Sequence, residues 1–125
     1  MDAKDKHVLI VATHGPEAPE RCSAPFFFAT RAARLGARVE ICFILQSALL
    51  LKQGVAEEVC AKEGGRSMRR FLDDALQSGV VFHPCDAAMK LNEMTPDDLI
   101  EEVDGLVGPN YLITRGLEAD LVLTF

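Results

Sequence analysis

The chain has 125 residues, 49% hydrophobic and 26% charged, a balance typical of one globular domain spanning residues 1–125. Its net charge of −6 and the absence of any Lys/Arg-rich stretch argue against nucleic-acid binding. The polar start is not a signal peptide, and the most apolar region, residues 39–51, is too short to span a bilayer. We therefore expect a cytoplasmic protein without membrane contact.

The first half of the chain alternates apolar runs with helical spacing. Residues 8–12 predict a buried strand, followed by a loop and by a helix that starts near Ser23 and stops at Gly36. Residues 39–45 predict a second buried strand. A short helix with three consecutive leucines, residues 49–51, comes next. Because they cannot all face one core, either they lie at a subunit interface, which we favour, or the helix is wrapped on all sides.

The second half repeats this alternation. An amphipathic helix with Met68 and Leu72 on its apolar face precedes a third strand at residues 80–83. A short helix follows Cys85. Thr95 then starts a helix that carries residues 99–103, because it is a capping residue followed by proline and acids. A fourth strand at residues 105–107, a helix over about 110–119 and a fifth strand at residues 121–125 complete the chain.

Strands that are apolar on both faces and alternate with helices predict an α/β fold. We expect a single-domain, doubly wound, parallel five-stranded sheet with helices on both faces, in the flavodoxin-like order 2-1-3-4-5. Ligands of such sheets bind at the carboxyl ends of the strands, where the order reverses. This order would bring Thr13, His14, Gly15 and Cys22, which follow the first strand, close to Cys85, which follows the third.

The segment His83-Pro84-Cys85 is the main indication of chemistry. It places a cysteine where a buried strand ends and a helix begins, so that backbone N–H groups and the positive helix terminus favour the thiolate. A thiolate attacks sulfur and binds metals. The structural alternative is an inert core cysteine that happens to end a strand.

The neighbours of Cys85 admit two interpretations each. Asp86 either disfavours the thiolate or spends its charge capping the short helix. His83 and His14 either assist the thiol or face solvent. Cys22 is either a relay thiol or a loop cysteine without a partner.

Of the other cysteines, Cys42 lies within a predicted buried strand and is expected in the core. Cys60 lies in a polar connecting segment and has no recognisable role. The four thiols show neither a Cys-x-x-Cys pair nor zinc-finger spacing, and we expect free thiols rather than disulfides. A metal site built from the thiols and imidazoles of the two loops is a weaker alternative. We predict no metal and no cofactor.

Five short segments occur in an order that resembles the DsrE/DsrF-like family. They are Thr13-x-Gly15-Pro16-Glu17, Cys85-Asp86-Ala87-Ala88-Met89, residues 96–100, Gly108 and residues 119–125. The resemblance implies small α/β proteins that assemble as trimers or hexamers. It also implies a cysteine after the third strand, here Cys85, that carries sulfane sulfur and passes it to a TusA-like or DsrC-like partner.

We therefore predict a sulfur carrier, or sulfurtransferase-like protein, that holds a persulfide on Cys85 and works as a homotrimer or homohexamer. The resemblance does not decide whether the chain turns over as an enzyme. The alternative is a non-catalytic oligomeric binding or regulatory module in which Cys85 is a redox-sensitive or bystander thiol.

Overall fold

Four parallel strands form the sheet in this computed structural model, which describes residues 1–125. They are β1 (His7–Ala12), β2 (Arg38–Phe43), β3 (Val81–Pro84) and β4 (Leu121–Thr124). Their order is β3-β2-β1-β4, with every neighbouring pair parallel. The α/β class and the parallel sheet are thus confirmed. The predicted five strands and the order 2-1-3-4-5 are wrong.

The predicted fourth strand is reduced to a single bridge between Cys85 and Val107 beside β3. Pro84 explains the interruption, because proline has no N–H with which to continue a ladder. The carbonyl of Gly105 instead accepts a hydrogen bond from ring Nδ1 of His83 at 2.9 Å. Residues 105–107 therefore follow the edge of the sheet without joining it as a strand.

Helices cover both faces of the sheet. On one face α1 (Ser23–Arg34) packs against α2 (Met68–Gln77) and over the strands, and this side holds the main core of 19 buried residues. The rings of Phe26, Phe43 and Phe82 meet there, with centroids 5.3–5.8 Å apart. On the other face α4 (Pro109–Glu118) lies over β1 and buries none of its own residues. The short α3 (Asp86–Leu91) follows β3.

The helix predicted from Thr95 is wrong. The capping box between Thr95 and Asp98 is present, but only one 3₁₀ turn forms, at Pro96–Asp98. The chain then becomes extended because it pairs with another segment: Ile100 N–H donates to the carbonyl of Leu51, and Gln53 N–H to that of Asp98. These tertiary hydrogen bonds replace those of a helix.

The leucine run lies inside the chain, so the favoured subunit interface is wrong and the alternative, a segment wrapped on all sides, is confirmed. It belongs to a 3₁₀ helix at Leu45–Leu51, in which Leu50 and Leu51 join the main core. Leu49 packs against a second cluster of five buried residues, Ala48, Cys85, Ala88, Met89 and Met94. The segment lies between two clusters, which is how consecutive leucines are all accommodated.

No helix is both long and apolar enough to cross a bilayer.

Candidate functional site at Cys85

Cys85 occupies the turn between β3 and α3, as the sequence predicts. Its backbone is extended, and it occupies the N-cap position of α3 without a side-chain hydrogen bond to the helix. Its N–H donates to the carbonyl of Phe43 at 2.9 Å, and its carbonyl accepts from Met89 at 3.0 Å. These two bonds fix the thiol at the carboxyl end of the sheet.

The Cys85 side chain is largely covered. It retains 9% of its exposure and lies in the five-residue cluster, whose other members are alanines and methionines. The one hydrogen-bond partner of its Sγ is the carboxylate of Asp86, with Oδ1 4.0 Å away. An incoming thiol would have to approach the small exposed part of Cys85 or displace a flexible methionine of the cluster.

Asp86 does not cap the helix. It is the first residue of α3, and the amino-terminal turn receives no side-chain hydrogen bond. Its backbone N–H donates to the carbonyl of Val107 at 3.0 Å. Of the two interpretations given above, the structure therefore leaves the Asp86 charge beside the thiol.

The loop after β1 does not meet the loop after β3. Because β2 separates the two strands, their ends lie about 10 Å apart, two strand spacings. The predicted convergence depended on β1 and β3 being neighbours, and it is wrong. The weaker alternative of a metal site fails with it, since no group of three or more His, Cys, Asp or Glu side chains is arranged to hold a metal ion.

Cys22 is buried in the main core. Its thiol donates to the carbonyl of Gly15, at 2.9 Å, and burial raises the pKa of Cys22 to about 12, with the charges of Glu17 and Glu20 acting in the same direction. Gly15 itself has a structural role, because a Cβ at this position would lie 2.1 Å from the backbone oxygen of Gln46.

His14 and the remaining cysteines are also accounted for by their own surroundings. His14 pairs with Glu17 at 3.2 Å on the surface. All four cysteines are free, and burial raises the pKa of Cys42 to about 12. Nothing in this loop is directed toward Cys85.

His83 takes neither of its two predicted roles. Its ring joins a polar cluster between the sheet and α4, where Nε2 lies 3.3 Å from the Tyr111 hydroxyl and 3.9 Å from Glu40. Glu40, on β2, is the centre of this cluster. The sequence analysis missed it, although a glutamate within the apolar run 39–45 was a signal that could have revealed it.

Three side chains satisfy the buried Glu40 carboxylate. Tyr111 donates to it at 2.6 Å, Arg115 at 2.7 and 2.9 Å, and His7 Nε2 lies 2.6 Å away. Burial acts to raise the pKa of Glu40, but the bonds from Arg115, Tyr111 and His7 outweigh it and hold that pKa below its ordinary value. His7, which the sequence does not distinguish, is therefore part of the cluster.

The cluster also affects its donors and borders a cleft. Burial, together with the bond to Glu40, raises the pKa of Tyr111 to about 12. A cleft of about 350 Å³ lies beside these side chains, at the amino-terminal half of the sheet. Cys85 does not line it, so the cluster and the thiol are separate features.

Comparison with known proteins identifies the fold and the family. The model of the DsrE/DsrF-like family matches residues 6–125, nearly the whole chain. The chain belongs to the DsrE/DsrF-like family. The resemblance noted from the five short segments is thus confirmed. No curated protein matches the chain.

Two solved structures share the architecture. The ychN protein from E. coli is 20% identical, with a TM-score of 0.79 over 96% of this chain and 99% of that one. MTH1491 from Methanobacterium thermoautotrophicum, a protein of unknown function, is 17% identical, with a TM-score of 0.69 over 97% of this chain and 100% of that one. At these identities the likeness concerns the fold alone.

Proposed function

We propose that the chain is a sulfur carrier that holds sulfane sulfur as a persulfide on Cys85. The observation that carries this proposal is the position of Cys85, immediately before α3 at the carboxyl end of β3, in a chain of the DsrE/DsrF-like family. Fold and family alone do not assign an activity, so the proposal depends on the chemistry of this residue.

The proposed transfer exchanges thiols without net oxidation. The Cys85 thiolate attacks the outer sulfur of a donor persulfide, a new S–S bond forms, and the donor thiolate leaves. An acceptor thiolate then attacks the outer sulfur on Cys85, and the Cys85 thiolate leaves in turn. A small acceptor of the TusA or DsrC type would complete such a relay.

The experiment is intact-protein mass spectrometry after exposure to polysulfide, followed by removal of excess reagent. We expect a gain of about 32 Da, one sulfur atom, on Cys85. Cys85→Ala should abolish the gain, whereas Cys60→Ala, which removes the cysteine that is not buried, should retain it. Persulfide found equally on Cys60, or on no cysteine, would contradict the proposal.

The alternative, a binding or regulatory module with a bystander thiol, is favoured by one observation: Cys85 retains only 9% of its exposure. The labelling experiment distinguishes the two functions. A bystander in this position gives no selective adduct, whereas a carrier gives one that an acceptor thiol removes.

We also propose that the chain assembles with copies of itself into a trimer or hexamer. The supporting observation is an exposed apolar surface on α4 and β4, where Ile113 is 63% and Leu117 84% exposed, and Leu121 and Val122 lie nearby in the chain. Sedimentation velocity should show an oligomer, and Leu117→Glu should shift it toward monomer. A wild-type monomer at high concentration would contradict this part.

A further inference from the structure

The outer surface of α1 and α2 carries arginines and phenylalanines around a small groove. The groove has a volume of about 150 Å³, the size of one side chain. Its lining residues are Phe27, Thr30, Arg31, Arg34, Arg66, Phe71 and Asp74. We call this the arginine groove. It shares no residue with the surroundings of Cys85.

Two of the arginines stack on the aromatic rings of the groove. The Arg31 guanidinium lies 5.2 Å from the ring centroid of Phe27, and that of Arg66 lies 4.8 Å from the centroid of Phe71. Stacking orients a guanidinium and leaves its N–H groups at the edge free to donate. A fork of N–H donors fits a carboxylate better than any other common side-chain group in proteins.

The local charge is positive although the chain as a whole is acidic. Asp74 is the only acid of the groove, and it pairs with Arg66 at 2.6 Å. Arg31 and Arg34 are exposed and form no ion pair. Two positive charges therefore remain unneutralised, within a protein of net charge −6.

Helix stability explains only part of this arrangement. Arg31 and Arg34 lie in the last turn of α1, where cations favourably oppose the helix dipole. This does not account for the neighbouring ring of Phe27, which is 45% exposed. Exposed aromatic rings beside arginines are the composition found at the centres of protein interfaces.

We propose that the arginine groove binds an acidic segment of another protein, with carboxylates on Arg31 and Arg34 and one apolar side chain between Phe27 and Phe71. Charge complementarity selects this occupant, because a basic or neutral segment would leave both arginines unpaired. The inference does not involve Cys85 and is independent of the sulfur-carrier proposal.

The test is an NMR titration of the ¹⁵N-labelled protein with a ten-residue peptide of Glu and Asp around one Phe. We expect amide shifts concentrated in residues 27–34 and 66–74, and binding that weakens as salt increases. A peptide with Gln and Asn in place of the acids should bind at least about tenfold more weakly, because the charge-assisted bonds are lost.

Two double variants locate the site. Arg31→Gln with Arg34→Gln should weaken binding about tenfold. Arg21→Gln with Lys90→Gln removes the same net charge from exposed positions outside the groove and should leave affinity within about twofold, through the long-range field alone. Phe27→Ala should also weaken binding, at unchanged net charge.

Several outcomes would overturn the proposal. These are the absence of shifts at millimolar peptide, equal loss in both double variants, and shifts that map elsewhere. Preferred binding of an oligonucleotide at the same residues would assign the groove to nucleic acid. Self-association abolished by the Arg31 and Arg34 changes would assign it to a second copy of this chain.

Discussion

Cys22 and Cys85 stand at equivalent places, each immediately before a helix that follows a strand or loop at the carboxyl edge of the sheet. Their surroundings differ. Cys22 has helical backbone angles, and its thiol donates to the carbonyl of Gly15 at 2.9 Å. Cys85 is extended, and the one partner of its thiol is the Asp86 carboxylate at 4.0 Å. The comparison teaches that a helix start does not by itself make a thiol reactive. At Cys22, burial above all, and then the charges of Glu17 and Glu20, keep the proton on the sulfur.

The largest difference expected between the two thiols is in alkylation rate. With iodoacetamide at pH 8, Cys85 should react at least about a hundredfold faster than Cys22, because Cys22 is buried and its raised pKa leaves very little thiolate. Peptide mapping over time measures both rates. In urea the two should become equal, and native labelling of Cys22 ahead of Cys85 would break the comparison.

Gly15→Ala tests the loop that supplies the Cys22 acceptor. The new Cβ would lie 2.1 Å from the backbone oxygen of Gln46, so one of the two segments must move. We expect a loss of about 2–4 kcal/mol in the free energy of unfolding. Urea denaturation measures it, and Gly105→Ala, where a Cβ meets nothing within 4 Å, is the matched control. Equal stability of the two variants would show that the loop adapts freely.

High pH should weaken the folded state through Cys22. Its pKa rises from 9.0 to about 12 on folding, so between these values the unfolded chain loses a proton that the folded chain keeps. Stability therefore falls as pH rises above about 9, by up to about 1.4 kcal/mol per pH unit for this thiol. Denaturation at pH 8 and pH 10 should show a smaller loss for Cys22→Ala than for wild type. Cys60→Ala should follow the wild type.

Asp86→Asn gives the smallest expected effect. It removes the carboxylate beside Cys85, and because a nearby negative charge disfavours a thiolate, alkylation of Cys85 should become about threefold faster. The rate of Cys22 should not change, which makes it the internal control. A slower Cys85 would indicate that Asp86 assists the thiol instead.

Much of this architecture can be predicted from the sequence, since the spacing of apolar residues distinguishes buried strands from amphipathic helices. Met68–Gln77 and Pro109–Glu118 form helices close to where the pattern predicts them. The order of the strands in the sheet cannot be predicted in this way, because it depends on which strands pair with each other and not on the local pattern of any one strand. The order 2-1-3-4-5 is common in such sheets, but here β2 lies between β1 and β3, so the predicted meeting of Cys22 with Cys85 does not occur.

The polar cluster shows a second limit of sequence reasoning. Glu40, His83 and Arg115 lie far apart in the chain, and no local pattern links them. The place of Cys85 between a strand and a helix can be predicted, because the end of a strand followed by the start of a helix is a local signal in the sequence. Its 9% exposure could not be predicted, since Cys85 lies in a cluster that includes Ala48 from a distant segment of the chain.

The Glu40 carboxylate has a consequence for α4. Apolar side chains tolerate some sliding and rolling of one element over another, and α4 buries no residue that would lock it. Tyr111 and Arg115, about one turn apart on α4, donate to the same carboxylate, and together these bonds restrain the rotation and height of the helix. A single acid in a strand thus determines how α4 is rotated about its axis, and with it the direction in which the exposed side chains of Ile113 and Leu117 face solvent.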